Sequence, residues 1–210
     1  MGKVRVAGFA VSADGFGAGA NQSLEHPLGI GGRELHNWFY PTQTFRSMIG
    51  LEGGIDDRFA RAGTEGFGAV ILGRNMFGPA GDDWGGPDWK GWWGDNPPYH
   101  APTFILSHHS RAPIVMEGGT TFHFVAGGIE AALAQARSAA GDLDVKIAGG
   151  VSTVRQYLLA RAIDEMHIVQ SPVFLGRGES LFAGIDLPGL GYRVTETVPT
   201  ELATHFVLTR

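Results

Sequence analysis

Residues 144–162 read DVKIAGGVSTVRQYLLARA, and this stretch carries the most information about the fold. Its short run VKIA at 145–148 is rich in strand-forming residues and stops at Gly149 and Gly150. Ser152 is then a predicted N-cap, because apolar residues recur behind it at helical spacing. The first N–H groups of a helix lack intrahelical partners and carry partial positive charge, so a strand, two glycines and a helix favour anion binding. An ordinary tight turn between strand and helix is the alternative, and the residues alone leave it open.

The composition is that of a globular protein without thiol chemistry. The 210 residues suffice for one well-buried domain, with 43% hydrophobic and 18% charged residues. The absence of cysteine excludes disulfides, thiolate metal sites and a cysteine nucleophile. A net charge of −5 without a Lys/Arg cluster argues against nucleic acid and anionic membranes as partners. No apolar run approaches the ~20 residues that span a bilayer, and we expect a soluble, cytoplasmic protein.

The predicted elements alternate strand and helix through the middle of the chain and end in a pair of strands. Predicted strands are 3–11, 69–72, 103–107, 121–125, 145–148, 165–175, 193–198 and 204–209, and predicted helices are 34–39, 56–62, 129–140 and 152–162. Pro172 indicates that the strand at 165–175 ends, bulges or lies at a sheet edge. This order predicts an α/β domain with a mixed sheet.

Two long segments of the chain have no regular pattern. Residues 17–32 are Gly-rich, and a loop of this length in a compact domain is often functional. Residues 78–102 contain four of the five tryptophans, Trp84, Trp89, Trp92 and Trp93. A lid packed on the surface, an oligomer contact and substrate stacking are all consistent with such a segment.

Several separated segments together resemble one known family. They are VSADGF at 11–16, VILGRNMF at 70–77, LSHHSR at 106–111, IAGGVSTVRQYL at 147–158 and IDEMHIVQSPVFLGRGESLF at 163–182. In this order they resemble the dihydrofolate reductase superfamily, in the bacterial branch that contains the C-terminal reductase domain of riboflavin-biosynthesis (RibD) deaminase/reductases. The resemblance implies a three-layer α/β fold whose central mixed, mainly parallel sheet is flanked by helices. It also implies a single domain over residues 1–210, with a Trp-rich insertion at about 78–102.

The resemblance further implies an NADPH site at the carboxyl ends of the strands, where open α/β sheets generally bind ligands. The helix start would hold the pyrophosphate, and Arg74 would contact a phosphate from a second turn. Relatives often carry a Ser-Arg pair where this chain has Ser107 and His108, and here the arginine is displaced to Arg111. The preference for NADPH over NADH therefore stays open. The implied cofactor-binding residues are Ala10, Gly73, Arg74, Asn75, Met76, Ser107, His108, Arg111, Gly149, Gly150, Val151, Ser152 and Thr153.

The implied reaction is hydride transfer to a C=N or C=O of a heterocycle, helped by protonation of the acceptor. Glu34 is the nearest match to the family's acidic anchor, and an ordinary first-turn glutamate is the alternative. Asp14 is the second candidate, because its turn is expected near the nicotinamide, although an Asp before Gly also shapes turns. The remaining histidines show no metal-ligand spacing, so no metal site is expected; they include His26, His36, His100 and His123.

The prediction is thus an NADPH-dependent reductase acting on a small heterocycle. The implied substrates are a pyrimidine like 5-amino-6-(5-phosphoribosylamino)uracil or a pterin, yet no basic cluster for a substrate phosphate is evident. The alternative is a nucleotide-binding protein of the same fold without efficient turnover, because the Ser-Arg pair and an unambiguous proton donor are missing. The apolar late strands and the Trp-rich insertion predict a homodimer.

Overall fold

The computed structural model describes residues 1–52, 54, 57–78, 86 and 88–210. The strands in these ranges are β1 Val4–Val11, β2 Phe16–Gly19, β3 Phe67–Gly73, β4 Pro102–Leu106, β5 Ile114–Val115, β6 Thr121–Val125, β7 Asp144–Gly149, β8 Glu165–Gln170, β9 Gly178–Ser180, β10 Arg193–Pro199 and β11 Thr204–Thr209. The α-helices are α1 Gln43–Met48, α2 Asp57–Ala62, α3 Arg74–Phe77, α4 Gly128–Ala140 and α5 Val151–Leu159. Among these described residues, no helix is long and apolar enough to cross a membrane.

Nine of the strands form one sheet in the order β10-β11-β8-β1-β7-β3-β4-β6-β5. All pairs from β8 to β6 are parallel, whereas β11 pairs antiparallel with β8 and β10, and β5 pairs antiparallel with β6. The predicted mixed, mainly parallel sheet with a closing antiparallel pair is confirmed. Because parallel strands point the same way, the carboxyl ends of β1, β7, β3, β4 and β6 lie along one edge.

Both faces of the central strands are buried, and successive residues alternate between two cores. On β3, Ala69 and Ile71 pack in the first core, which includes α4 and α5. Val70 and Leu72 pack on the opposite face in the second core, which includes Phe77. A third cluster covers the β8 and β11 side of the sheet and consists of Trp38, Phe59, Ala60, Val169 and Ala203. Helices therefore flank the sheet as predicted, and the strands read as near-continuous apolar runs because neither face is exposed to water.

Two predicted boundaries in the second half of the chain are wrong. Helix α5 begins at Val151 with Gly150 as its N-cap, so Ser152 lies inside the first turn and caps nothing. The extended Gly150 backbone supports the helix start without a side-chain cap. The strand predicted at 165–175 ends at Gln170, two residues before Pro172, which has no N–H for a sheet ladder.

The Gly-rich segment at 17–32 is more ordered than predicted. Its first residues belong to β2, which pairs antiparallel with β9, a strand more than 150 residues later in the chain. A Cβ on Gly178 would lie 2.0 Å from the carbonyl oxygen of Ala18, so this pairing needs glycine there. The segment leads into a 3-10 helix at Gly32–His36, two residues ahead of the helix predicted at 34–39. In this segment Leu35 and Trp38 are buried and Phe39 is half-buried.

The described part of the Trp-rich segment packs on the protein itself. The indole Nε1 of Trp89 donates a hydrogen bond to the carbonyl oxygen of Phe77 at 2.9 Å, and its ring meets Trp92 edge-on with centroids 4.8 Å apart. Trp93 is half exposed, and Trp84 lies outside the described residues. For Trp89 these contacts are those of a segment packed on the second core.

Candidate functional site

A cavity of about 540 Å³ opens at the carboxyl ends of the parallel strands. In sheet order, β1 contributes Phe9 and Ala10, β7 leads to Gly150, β3 ends at Gly73, and β4 and β6 end beside Ser107 and Val125. Five adjacent strands at about 4.8 Å spacing give this edge a length of about 19 Å. The cavity is therefore an elongated groove, with the β1 end and the β6 end far apart.

The middle of the groove is the start of α5. Gly149 has φ of 131°, which favours glycine, and the peptide bond between Gly149 and Gly150 is cis. The first backbone hydrogen bond of the helix runs from Val154 N–H to the carbonyl oxygen of Gly150, and no side chain caps the amides before it. Gly150, Val151, Ser152 and Thr153 all line the cavity. An uncapped helix start facing a cavity can hold an anionic group such as a phosphate.

The turn after β3 lies directly against this helix start. A Cβ on Gly73 would lie 2.4 Å from Thr153 Oγ1 and 3.4 Å from the amide nitrogen of Gly150, so the two turns approach as closely as backbone allows. Arg74, Asn75 and Met76 follow in α3 and line the cavity. Arg74 Nη1 lies 3.1 Å from where a Cβ of Gly78 would be, and an arginine that lines the same cavity as an uncapped helix start suits phosphate oxygens.

The loop after β4 supplies Ser107 and His108 to the cavity but not Arg111. Ser107 Oγ accepts a hydrogen bond from the amide of His109 at 3.0 Å. Arg111 instead donates to the carbonyl oxygen of Trp89 at 2.8 Å, and its guanidinium lies 5.5 Å from the ring centre of Phe124. In this conformation Arg111 packs on the second core, and its assignment to the cofactor stays a prediction that these contacts do not favour.

The two acids predicted to act in catalysis do not line the cavity. The carboxylate of Asp14 accepts hydrogen bonds from Ser12 Oγ at 2.5 Å and from the amides of Leu175 and Gly176. These bonds, led by that from Ser12, lower the pKa of Asp14. Glu34 is exposed on the 3-10 helix. Asp14 thus joins the β1 turn to the loop after β8, and a catalytic role for either acid stays a prediction.

The predicted cofactor-binding residues fall into two groups. Gly149 and Arg111 are not among the cavity-lining residues of the described chain. The others line it: Ala10, Gly73, Arg74, Asn75, Met76, Ser107, His108, Gly150, Val151, Ser152 and Thr153.

The β1 end of the groove contains residues that the sequence did not indicate. Phe9 lies at its centre, because a Cβ on Gly17 would come within 2.7 Å of both Phe9 Cε1 and Val151 Cγ2. Beyond it, Gln22, Leu28 and His36 line the wall. His36 is brought here by the packing of the 3-10 helix against β1 and β2, a long-range arrangement without a local pattern in the sequence. Within the described ranges, no cluster of acidic or histidine side chains could hold a metal ion.

Comparison with known proteins agrees with this architecture. A sequence model of the RibD C-terminal domain family matches residues 4–206. A putative riboflavin biosynthesis protein from Shewanella sp. PV-4 is 23% identical with a TM-score of 0.62, and the alignment covers 99% of this chain and 98% of that one. Dihydrofolate reductase from Enterococcus faecalis, solved with NADP(H) and RAB-propyl, is 15% identical with a TM-score of 0.53, covering 99% and 96%.

A third similar structure is a diaminohydroxyphosphoribosylaminopyrimidine deaminase/5-amino-6-(5-phosphoribosylamino)uracil reductase from Thermotoga maritima. It is 11% identical with a TM-score of 0.52, and the alignment covers 99% of this chain but 56% of that longer protein. No curated protein matches the sequence. At these identities the structural likenesses establish the dihydrofolate reductase-like fold, while the match over residues 4–206 establishes the family. This chain belongs to the RibD C-terminal domain family.

Proposed function

We propose that this protein is an NADPH-dependent reductase that transfers hydride to a C=N or C=O of a small heterocycle. The observation that carries the proposal is the uncapped start of α5, which faces a groove beside Gly73 and Arg74 at the carboxyl ends of five adjacent strands. Family membership points to a reductase, and the similar dihydrofolate reductase was solved with NADP(H). When bound, a nicotinamide dinucleotide supplies the hydride.

The proposal gives each part of the groove a role, following the order of the strands. Amides at the start of α5, together with Arg74, bind the pyrophosphate in the middle. Ser107 and His108 hold the adenosine side near β4 and β6, and the β1 end around Phe9 and Ala10 receives the nicotinamide. The apolar wall there orients the ring and excludes water from the reacting atoms.

Cofactor selectivity tests this assignment. Titration of NADPH and of NADH into the protein, followed by nicotinamide fluorescence and thermal shift, should give saturable stabilisation. A ligand at 100 times its dissociation constant adds about 2.7 kcal/mol of stability. We expect tighter binding of NADPH, through Ser107 and His108. Equal affinities would remove the 2′-phosphate contact from the proposal, and no binding of either would remove the reductase.

The second candidate, a nucleotide-binding protein without efficient turnover, is favoured by one observation. Asp14, one of the two acids predicted to act in catalysis, is held by three hydrogen bonds and lies off the cavity. Stopped-flow or steady-state NADPH oxidation with a panel of pterins and pyrimidines separates the two candidates. We expect Glu34→Gln to slow oxidation and Asp14→Asn to lower Tm. If the wild type binds NADPH but oxidises it with no heterocycle in the panel, the binding protein gains support.

We further propose that the chain is one domain and forms a homodimer. The edge strand β10 is exposed along most of its length, with Val194 53% exposed, and an unpaired edge can join a second copy. Light scattering of the purified protein should give twice the chain mass of 22.4 kDa. A monomer mass across the micromolar range would refute the dimer.

A further inference from the structure

We propose that the substrate is an uncharged heterocycle that lacks a phosphate group, and that a hydrogen bond to His36 holds it in place. This inference deepens the proposed reductase and rests on it. It concerns the β1 end of the groove, where Gly17, Gln22, Leu28 and His36 form the wall beyond the expected nicotinamide position. We call this part of the groove the substrate compartment.

Charged side chains are scarce around the whole groove. Among the lining residues, Arg74 is the one Lys or Arg and Glu179 is the one Asp or Glu. The residues outside the described ranges include no Lys, Arg or His, so the sequence adds no further cation. Arg74 lies beside the start of α5, where the dinucleotide phosphates are expected. The substrate compartment itself is therefore lined without a lysine or arginine.

A substrate phosphate would meet unfavourable electrostatics in this compartment. The dinucleotide already brings several negative charges into the groove, and Glu179 adds another at its wall. Like charges at close range in a partly enclosed site raise the energy of a bound anion unless a cation compensates them. Arg33 and Arg177 are exposed and do not line the cavity. Arg155 lines a neighbouring cavity together with Glu179, but its guanidinium donates to the carbonyl oxygens of Ser180, Leu181 and Ala183. A neutral substrate avoids this cost.

His36 is the side chain in this compartment best suited to orient such a ring. Its Nδ1 is enclosed and its Nε2 is not, and neither nitrogen makes a hydrogen bond of normal geometry within the described chain. Burial lowers the pKa of His36, and the backbone of Gly32 offsets part of that shift. The ring is therefore neutral at neutral pH. The accessible Nε2 of a neutral imidazole is a donor or an acceptor, depending on the tautomer, and can therefore bond to the C=O or to a ring nitrogen or N–H of a lactam-type heterocycle.

The accessible ring nitrogen of His36 gives this residue its selectivity, because the residue lines the compartment. A ligand that can bond to this nitrogen replaces its hydrogen bond to water, whereas a ligand that cannot leaves the nitrogen without a partner in the closed site. Gln22 is the other uncharged polar side chain on this wall, and it lies in the loop between β2 and the 3-10 helix. A ring with an N–H and a carbonyl can bond to His36 while its apolar faces contact Phe9 and Leu28.

The test compares riboflavin with its phosphate FMN, which share an isoalloxazine ring carrying one N–H between two carbonyls. The protein is first saturated with NADP⁺, which occupies the dinucleotide part of the groove without transferring hydride. Flavin binding is then measured by fluorescence and by calorimetry. A second matched pair is 5-amino-6-(5-phosphoribosylamino)uracil before and after treatment with phosphatase. The variants are His36→Phe, His36→Gln and the control His26→Phe, whose side chain is exposed and off the cavity.

We expect the unphosphorylated member of each pair to bind at least about tenfold more tightly. His36→Phe should lose at least about tenfold of that affinity, and His36→Gln, which keeps a donor and an acceptor, should retain most of it. NADP⁺ affinity should stay unchanged in both, and His26→Phe should match the wild type.

Three outcomes overturn the inference: equal or tighter binding of the phosphorylated members, undiminished binding by His36→Phe, or no binding of either unphosphorylated ring. Failure of NADP⁺ and NADPH to bind at all would instead refute the proposed reductase.

Discussion

Lowering the pH from 7.5 to 5.0 should destabilise this protein through one buried imidazole, His167 on β8. Its Nδ1 accepts a hydrogen bond from the amide of Gly8 at 3.2 Å, and its Nε2 lies 3.0 Å from Nδ1 of His205. Because Nδ1 accepts, the neutral ring must carry its proton on Nε2 and donate it to His205. A second proton would face the Gly8 N–H directly. Phe59 stacks on the same ring with centroids 4.7 Å apart and keeps water away.

The size of the effect follows from proton linkage. Burial, with smaller contributions from the charges of His205, Arg5 and Arg58, lowers the pKa of His167 from 6.5 to about 3. Between pH 6.5 and about 3 the unfolded chain therefore binds a proton at this histidine and the folded chain does not, so the free energy of unfolding decreases as the pH falls below 6.5. At pH 5.0 the loss is about 2 kcal/mol, and it hardly changes if the folded pKa is one unit higher. For a chain of this length that corresponds to a fall in Tm of about 4 to 8 °C.

Thermal unfolding at constant ionic strength measures this loss at intervals of half a pH unit. His167→Gln keeps an acceptor for Gly8 but cannot titrate, so its Tm should fall much less over the same window. The lowered pKa of Asp14 and of Asp57 adds a loss only well below pH 5, because both start from 3.8. Burial of His36 acts in the same direction as His167, and the difference between wild type and variant isolates His167. Identical Tm curves for the two proteins would refute the reasoning.

Three further predictions concern single residues. Gly150→Ala should fold with nearly unchanged Tm, because the added Cβ would meet nothing closer than Met76 Cγ at 3.9 Å. It should weaken NADPH binding at least about tenfold, because the methyl group crowds the helix start, and unchanged affinity would contradict the phosphate assignment. Gly73→Ala should lower Tm, since its Cβ would lie 2.4 Å from Thr153 Oγ1, and a Tm equal to that of the wild type would contradict the close approach. Lys146 should titrate near pH 8 in NMR of the methylated protein, because burial and then the charge of Arg5 lower its pKa to about 8. A Lys146→Met variant identifies its signal, and titration of all three lysine signals near 10.5 would count against this burial.

The sheet could be predicted because its determinants are local. On β3 the run at 69–72 is apolar on both faces, which is the pattern of a central parallel strand, and on β7 the buried Val145 and Ile147 alternate with Lys146 and Ala148. Pro172 correctly signalled that the strand before it ends. The N-cap at Ser152 was wrong because capping preference is a weak local signal, and the backbone geometry at Gly150 starts the helix one residue earlier.

The substrate side could not be predicted in the same way. β2 exists because Ala18 pairs with Glu179, a contact across most of the chain that no local periodicity reports. Arg111 shows the same limit: the resemblance implied a cofactor contact, whereas in this structure its guanidinium lies 5.5 Å from the ring centre of Phe124 and donates to the carbonyl oxygen of Trp89, so its role at the cofactor stays a prediction. Contacts between distant segments decided both positions.

The middle of the groove and its β1 end are therefore built from different parts of the protein, and this difference bears on how proteins of this fold can differ in substrate. The proposed phosphate-binding middle is mainly backbone: helix amides and glycines whose geometry the strands β3 and β7 impose, so it follows from the sheet itself. The proposed substrate compartment is made largely of side chains from the β2–β9 pair, the loop after β2 and the 3-10 helix, which pack on the nine-stranded sheet without belonging to it. Substitutions at Gln22, Leu28 or His36 can alter what is reduced while the nine-stranded sheet and the dinucleotide groove stay intact. For the proposed reductase, a fold built this way would retain hydride transfer as its substrate changes, and we expect selectivity among heterocycles to respond first to these three positions.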